Sequence, residues 1–444
     1  MNRWLKGLLI VIAAFAIIMF SLVAPIDRTP LKEQGFHYNM MSVLDTLKPA
    51  SYKPTKKLKS GWGKVSITPD NPMPMAGYTM RPAFENVHDS LYARLVGINN
   101  GSRSFYLISV DLLLFPPALK EKLNELISKD FRIKPFLYFS ATHTHNGIGG
   151  WHDSVAGELV LGSYEEEWVN EIAAKLISEI KSIEQSMKPS HLSYWQVDAH
   201  EYAENRLVKG APYDGWLRGF KLIRNDSSLA HLITYSAHAT SISKKSKQLS
   251  GDYPSALLEA LQEKSNSFGI FMAGMVGSHR LTGLSETEFE LVAKAGDVLQ
   301  EKISMATERS QTDSVVIKAS HIPIQFGPSQ LRISKDWKLR NWVFSSLLNP
   351  MQGELTYLEI GNIILIGTPC DFSGELFVTK KLSELAAANN KELIITSFNG
   401  DYAGYITEDE HYETIRKEEV MTLNWVGPYY GTYFTEMISA LLKK

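Results

Sequence analysis

Four short apolar runs in this chain end, within a few residues, on a side chain able to bind a metal or carry a proton. Residues 135–139 lead to His143 and His145, 232–237 to His238, 363–366 to Asp371, and 393–397 to Tyr405 through FNGDYAGY. Apolar runs of this length, bounded by turn residues, read as strands. Open α/β sheets place their chemistry just beyond the carboxyl ends of such strands. Any one of these residues alone is ordinarily a satisfied histidine or a helix cap, and Asp371 stands where it would N-cap a helix. Four strand exits meeting at one sheet edge would instead make a site.

The first exit carries the most chemistry. Residues 140–151 read SATHTHNGIGGW, an apolar strand passing into a glycine-rich loop. Histidines two apart in extended backbone leave from the same face, imidazole is a common metal ligand and near-neutral proton carrier, and the glycines permit close backbone approach. The single cysteine, Cys370, excludes a disulfide framework and a cysteine-based zinc cluster, so a metal here needs His, carboxylate or Tyr. A catalytic thiol at Cys370 is the weaker reading beside ordinary burial. With Lys+Arg 46 against Asp+Glu 48 there is no basic stripe, which argues against a nucleic-acid partner. No G-x-S-x-G elbow, P-loop or dinucleotide fingerprint is present.

The remaining pattern is α/β. Strands are expected at 94–98, 104–114, 232–237, 315–326, 363–366 and 393–397. Apolar spacings of three and four predict helices at 116–128, 165–186, 254–264, 374–388 and 432–442. Ser285 and Glu288 form a capping-box pattern before a helix to about 309. No linker divides 61–444, so one large domain of mixed sheets flanked by helices is expected. Residues 27–60, with Pro30, Pro49, Pro54 and a basic cluster at 56–59, read as a tether. Before it, residues 7–26 are uncharged and about long enough to cross a bilayer. Pro25 spoils the cleavage site at 21–24, so an uncleaved anchor is favoured over a signal peptide. Arg3 and Lys6 put the N-terminus in the cytoplasm and the body outside it.

Several segments together resemble the catalytic domain of the neutral, non-lysosomal ceramidases, zinc amidases that cleave the N-acyl bond of ceramide. They are GKVSITPDNPMPMAGY (63–78), HDSLYARLV (88–96), SATHTHNGIGG (140–150), Asn205-Arg206, AHATSIS and SGDYPSAL (237–257), GTPCDFS (367–373) and GYITEDEHY (404–412). They occur in the family's order, and THTHxGxGG is the most specific. The resemblance implies that His143, His238, Asp371 and Tyr405 are Zn2+ ligands, with Asp371 where the family has Glu. It makes His145 a supporting or proton-handling imidazole and Arg206 the active-site arginine. Asp111, in ISVDLLL, is a candidate to orient a ligand histidine from behind.

The chain departs from the family in three places. Arg280, in GSHRL (277–281), falls where the family has a serine, Lys417 stands at a second active-site tyrosine, and the C-terminal immunoglobulin-like domain has no counterpart. Ser278 and Tyr412 are candidates for the displaced roles. Three readings follow. The first is a membrane-anchored zinc amidase hydrolysing ceramide or a related N-acylated lipid with water activated at the metal. The second is a zinc hydrolase or esterase of the same fold on a non-ceramide substrate, with Arg280 and Lys417 favouring an anionic one. The third is an inactive ligand-binding homologue at the membrane surface. No protein partner is implied.

Overall fold

Strand Ser104–Val110 is buried along its whole length, and its side chains sort by parity. Phe105 and Leu107 pack with Leu358, Ile363 and Leu365 of a second sheet, whereas Tyr106, Ile108 and Val110 pack with helical residues such as Leu119, Leu123 and Ile177. Strand Ile363–Gly367 repeats the division: Ile363 and Leu365 face the first sheet, and Ile364 and Ile366 face Leu376, Phe434 and Ile438. This period of two, with both faces covered, is why such runs are apolar throughout. The result is four layers: helices, a nine-stranded sheet, a five-stranded sheet against it, and helices again. The computed structural model describes residues 3–444, the side chains at 15–18 and 310–311 left aside.

The large sheet runs in space Phe268–Ala273, Leu229–Tyr235, Trp216–Arg224, Lys188–Asp198, Lys59–Ser66, Tyr92–Asn99, Ser104–Val110, Phe136–Ala141, and Thr307–Thr312 also pairs with Lys188–Asp198. The smaller runs Ala50–Tyr52, Ile317–Pro323, Glu354–Ile360, Ile363–Gly367, Glu392–Thr396. Within these two sheets three strand pairs are parallel, and each lies at a sheet edge: Ser104–Val110 with Phe136–Ala141, Leu229–Tyr235 with Phe268–Ala273, and Ile363–Gly367 with Glu392–Thr396. Parallel neighbours need a crossover, which helices Pro117–Asp130, Asp252–Ser265 and the pair Gly374–Thr379 and Leu382–Ala388 supply.

The three edges meet. Ser109 Oγ donates to the Phe271 carbonyl at 2.5 Å, and Ser140 Oγ donates to the Ser397 carbonyl at 2.9 Å. The Ser397 N–H and Oγ donate to the carbonyls of Ala273 and Gly274, at 2.9 and 2.8 Å. Buried edge carbonyls need partners, and these serines provide them where no strand could fit. The carboxyl ends of all three parallel pairs therefore open at one place.

Several local expectations change. Ser285 and Glu288 do not form a capping box: the helix runs Glu288–Ser304 with Thr287 as N-cap, and the Glu288 carboxylate accepts the Ser243 N–H at 2.9 Å. The helix expected over 374–388 is broken at Lys380 and Lys381, the latter left-handed at φ +53°. Helix Arg3–Leu22 is exposed and, by length and composition, able to cross a membrane; Met1 and Asn2 lie outside the described residues. Its end is clamped to the body. Strand Val23–Pro25 pairs with Trp337–Leu339, the Arg340 N–H donates to the Leu22 carbonyl, and Arg340 Nε and Trp342 Nε1 donate to the carbonyls of Phe20 and Ser21 at 2.9 and 3.1 Å.

Residues 27–60 are not a free tether. Helix Gly35–Thr46 buries His37, Met40 and Leu44 on one face, Phe36 stacks on Tyr430 at 5.7 Å, and His37 Nε2 meets Glu436 Oε2 at 2.6 Å. Ala50–Tyr52 then adds an edge strand to the smaller sheet. The flanking prolines, which suggested a spacer, delimit a short helix in which only His37, Met40 and Leu44 are buried. A packed helix and a tether respond differently to truncation of one side chain. Leu44→Ala should cost about 2–5 kcal/mol in chemical denaturation, while Tyr38→Ala, at an exposed position of the same helix, should change stability by no more than about 0.5 kcal/mol. Equal, negligible effects would restore the tether.

Candidate metal centre

His143 follows strand Phe136–Ala141 but is not extended: its φ is +64°, in the left-handed region. This turn, rather than strand alternation, aims the imidazole inward, where it stacks on Phe398 at 4.2 Å. Such strain persists only where surroundings over-determine it. Here the His143 N–H donates to the Leu112 carbonyl and Nδ1 lies 2.6 Å from the Leu113 carbonyl. His238, two residues beyond Ser236 at the end of the neighbouring edge, has its Nδ1 2.8 Å from the Val276 carbonyl. In both rings Nδ1 must carry the proton to make that bond, leaving the Nε2 lone pair free.

Those lone pairs face one another. His143 Nε2 and His238 Nε2 stand 2.9 Å apart, and His145 Nε2 is 3.3 Å from His143 Nε2. Asp371 Oδ1 lies 3.5 and 3.6 Å from the Nε2 atoms of His143 and His238 and has no hydrogen-bond partner. Asp371 and Tyr405 come from two short parallel strands, Asp371–Phe372 and Tyr405–Ile406, in which they are direct register partners. The Tyr405 hydroxyl is 3.1 Å from His238 Nε2. All four sequence-predicted ligands and His145 are thus brought together, most of them deeply buried.

An acceptor-rich cluster of this kind suits a metal cation. Burial holds His143 and His238 far below the ordinary histidine pKa and His145 at about 3, so none supplies charge. Burial pushes Asp371 up to about 7 against its hydrogen bond from Tyr402. Nitrogens and carboxylate oxygens on a tetrahedral zinc stand about 3.3 Å apart, given bonds of about 2.0–2.1 Å, and the spacings here lie close to that. A divalent ion would absorb the facing lone pairs, occupy the orphaned Oδ1 and keep Asp371 ionised. The donor set fits zinc.

Other residues hold this set in place. The Tyr402 hydroxyl donates to Asp371 Oδ2 at 2.7 Å. Arg206 Nη2 lies 3.3 Å from His238 Nε2, donates to the Tyr405 hydroxyl at 3.1 Å and pairs with Glu419 at 3.3 Å. Burial disfavours its charge, but Tyr405, Glu419 and Asp371 outweigh that, and its pKa stands above the ordinary value. Gly77, at φ +104°, lies so close to the His145 backbone that a Cβ would come within 2.4 Å of the His145 Cα. That accounts for MAGY in the 63–78 segment, since Tyr78 then meets the His145 ring at 5.0 Å. Loop glycine Gly149 serves close approach too, but to the Leu161 carbonyl.

Six sequence candidates sit elsewhere or differently. Asp111 pairs with Arg94 at 2.7 Å and accepts the Tyr92 N–H; the carbonyl behind His143 is that of Leu113. Ser278 Oγ is bound to Ser373 and His279, and Tyr412 lies under the Arg332 guanidinium. Arg280 forms an exposed pair with Glu204, and Lys417 donates to the Arg206 carbonyl. Cys370 is fully buried, and burial pushes its thiol pKa up, so it is no thiolate. Tyr402, Glu419 and Phe398 were not anticipated. Tyr402, three residues before Tyr405 in FNGDYAGY, was the one with a local signal.

The fold is that of neutral ceramidase, as the motifs implied. A crystal structure of neutral ceramidase from Pseudomonas aeruginosa superposes with a TM-score of 0.72 at 17% identity, covering 87% of this chain and 75% of that one. A ceramidase complexed with C2 gives 0.71 at 16%, covering 87% and 76%. No family model matches the chain.

The buried imidazoles set a pH dependence for the metal-free protein. His143, His145 and His238, with His231 and His279 held at about 4 by burial, stay neutral when folded and take up protons near pH 6.5 when unfolded. Unfolding therefore takes up protons below pH 6.5, and stability falls as pH drops through that window. Carboxyls whose pKa values burial raises, above all Asp371 to about 7 and Asp252 to about 6, act in the opposite direction but are outnumbered by the imidazoles in this window. The unfolding midpoint of chelator-treated protein should be lower at pH 5.5 than at pH 7.5. A higher one would contradict the neutral imidazoles.

Proposed function

We propose that this chain is a zinc amidohydrolase that cleaves the N-acyl amide bond of ceramide or a related N-acylated lipid. The observation carrying the reading is the convergence of His143, His238, Asp371 and Tyr405 around facing lone pairs, within a ceramidase fold. These four residues would hold the ion. A zinc ion so held supplies Lewis-acid polarisation of a carbonyl and lowers the pKa of water toward neutrality.

The chain's own groups divide the remaining work. The carbonyls of Leu113 and Val276 fix the tautomers of His143 and His238, and Tyr402 orients Asp371. His145 keeps a neutral imidazole beside the cluster, held by Gly77 and Tyr78, and would be the group to take a proton from water and return it to the leaving amine. The Arg206 guanidinium, kept charged by Glu419, is available to a developing oxyanion next to Tyr405. With helix Arg3–Leu22 as anchor, the body would work on the extracytoplasmic side, where an N-acylated lipid is within reach.

The second reading, an anionic substrate outside the ceramide class, has less support than the sequence suggested. Its motive was extra cations, and Arg280 and Lys417 are engaged by Glu204 and the Arg206 carbonyl. Retention of all the donors speaks against an inactive homologue.

Metal content and ceramide hydrolysis of the detergent-purified full chain test the proposal. About one zinc per chain is expected. His143→Ala should lose both metal and turnover, and Tyr402→Phe should weaken zinc affinity roughly 10–100-fold. Zinc without turnover of ceramide or other N-acylated lipids would overturn the substrate class; no zinc would overturn the whole reading.

A further inference from the structure

Outside the metal centre, the surface beside the clamped apolar helix has an unusual composition. Helix Val155–Leu161 exposes Val155 and Leu159 at 65% and 67%, and helix Asn341–Leu348 exposes Trp342 at 55% and Leu347 at 37%. The two helices touch, and Asn349 Nδ2 reaches Asp153 Oδ1 at 3.5 Å between them. Next to them the strand paired with Val23–Pro25 exposes Trp337, whose ring lies 6.0 Å from Phe20. A contiguous apolar surface left open to water marks a contact site. Its occupant follows from continuity. The patch runs directly into the end of Arg3–Leu22, twenty residues that rise about 30 Å, the thickness of a hydrocarbon core. Trp337 and Trp342 cluster at that helix's end, where tryptophan prefers the membrane–water interface, and Arg340 beside them suits phosphate head groups.

We propose that helices Val155–Leu161 and Asn341–Leu348 form a lipid-facing foot that seats the body on the same bilayer that holds residues 3–22. The foot is joined to the metal centre from two sides. Phe344, on the inner face of its helix, meets Trp425 at 5.8 Å, Trp425 meets Tyr402 at 5.0 Å, and Tyr402 binds Asp371. Helix Val155–Leu161 closes back on the histidine loop, the Gly150 N–H donating to the Leu161 carbonyl at 2.8 Å. Seating the foot therefore links the lipid surface, through packed side chains, to residues that hold the centre. The inference rests on residues 3–22 remaining as a membrane span, and not on the amidase chemistry.

The test is a depth measurement that does not read activity. Cys370 is buried, so a nitroxide can be placed at Leu159→Cys, with Asn225→Cys as reference. Asn225 lies on the exposed turn before strand Leu229–Tyr235, more than about 20 Å from His238 by strand rise. The full chain would be reconstituted in phosphatidylcholine–phosphatidylglycerol vesicles and its intact mass checked. The expected result is a severalfold higher ratio of oxygen to nickel-chelate accessibility at 159 than at 225, with residues 3–22 retained. Equal ratios with the span retained would overturn the foot, and loss of the span would overturn its premise. Zinc binding and turnover would be untouched by either outcome.

Discussion

The seam of buried serines is the constraint on which the site depends. Three parallel strand pairs, two at opposite edges of the large sheet and one at the edge of the smaller, would ordinarily end in unpaired backbone. Ser109, Ser140 and Ser397 tie them together by side-chain hydrogen bonds to carbonyls. Everything that follows depends on this closure. Ser397 fixes Phe398 beneath His143, the strand that contains Ser140 delivers the histidine loop, and Ala273 leads to Val276, whose carbonyl orients His238. A buried hydrogen bond contributes modestly to net stability but is costly to leave unmade, so the seam acts more on register than on total stability.

The charges around the cluster show a matching economy of protons. Every hydrogen available to His143 and His238 is directed outward to a backbone carbonyl, and the interior is left with lone pairs. In a medium of low dielectric such an arrangement is unfavourable by itself. It is tolerable where a cation completes it. Arg206 approaches that role and sits at the rim, answering to Glu419 as much as to His238. Preorganisation of this kind fixes in the folded protein what solvent would otherwise have to rearrange during a reaction.

What was legible in the sequence was local. The buried strands announced themselves as unbroken apolar runs, and the residues one to eight positions beyond them were the ones brought together. Asp371 and Tyr405 even share a register pair, although 34 positions apart in the chain. Contacts made between distant segments left no such trace: Glu419 reaches Arg206 across 213 positions, and nothing near either residue indicated the other. Charge without geometry misled. Arg280 and Lys417 looked like additions to a binding site, yet their side chains turn to Glu204 and to a carbonyl. The helix at Gly35–Thr46 escaped notice because three buried side chains between prolines make a weak periodic signal.

The junction at Leu22 and Val23 has a consequence for how the molecule meets its surroundings. A helix end whose carbonyls are taken up by Arg340 and Trp342, and which passes at once into a β-ribbon, has no swivel. If that helix crosses a bilayer, as proposed, a span fixed in that way would set both the height and the azimuth of the body above the plane it enters. Encounter with anything dissolved in that plane would then become a search in two dimensions at constant elevation, in which lateral diffusion and surface density replace bulk concentration. A ligand presented from a second, apposed surface would have to come to the protein, because the protein cannot lean toward it.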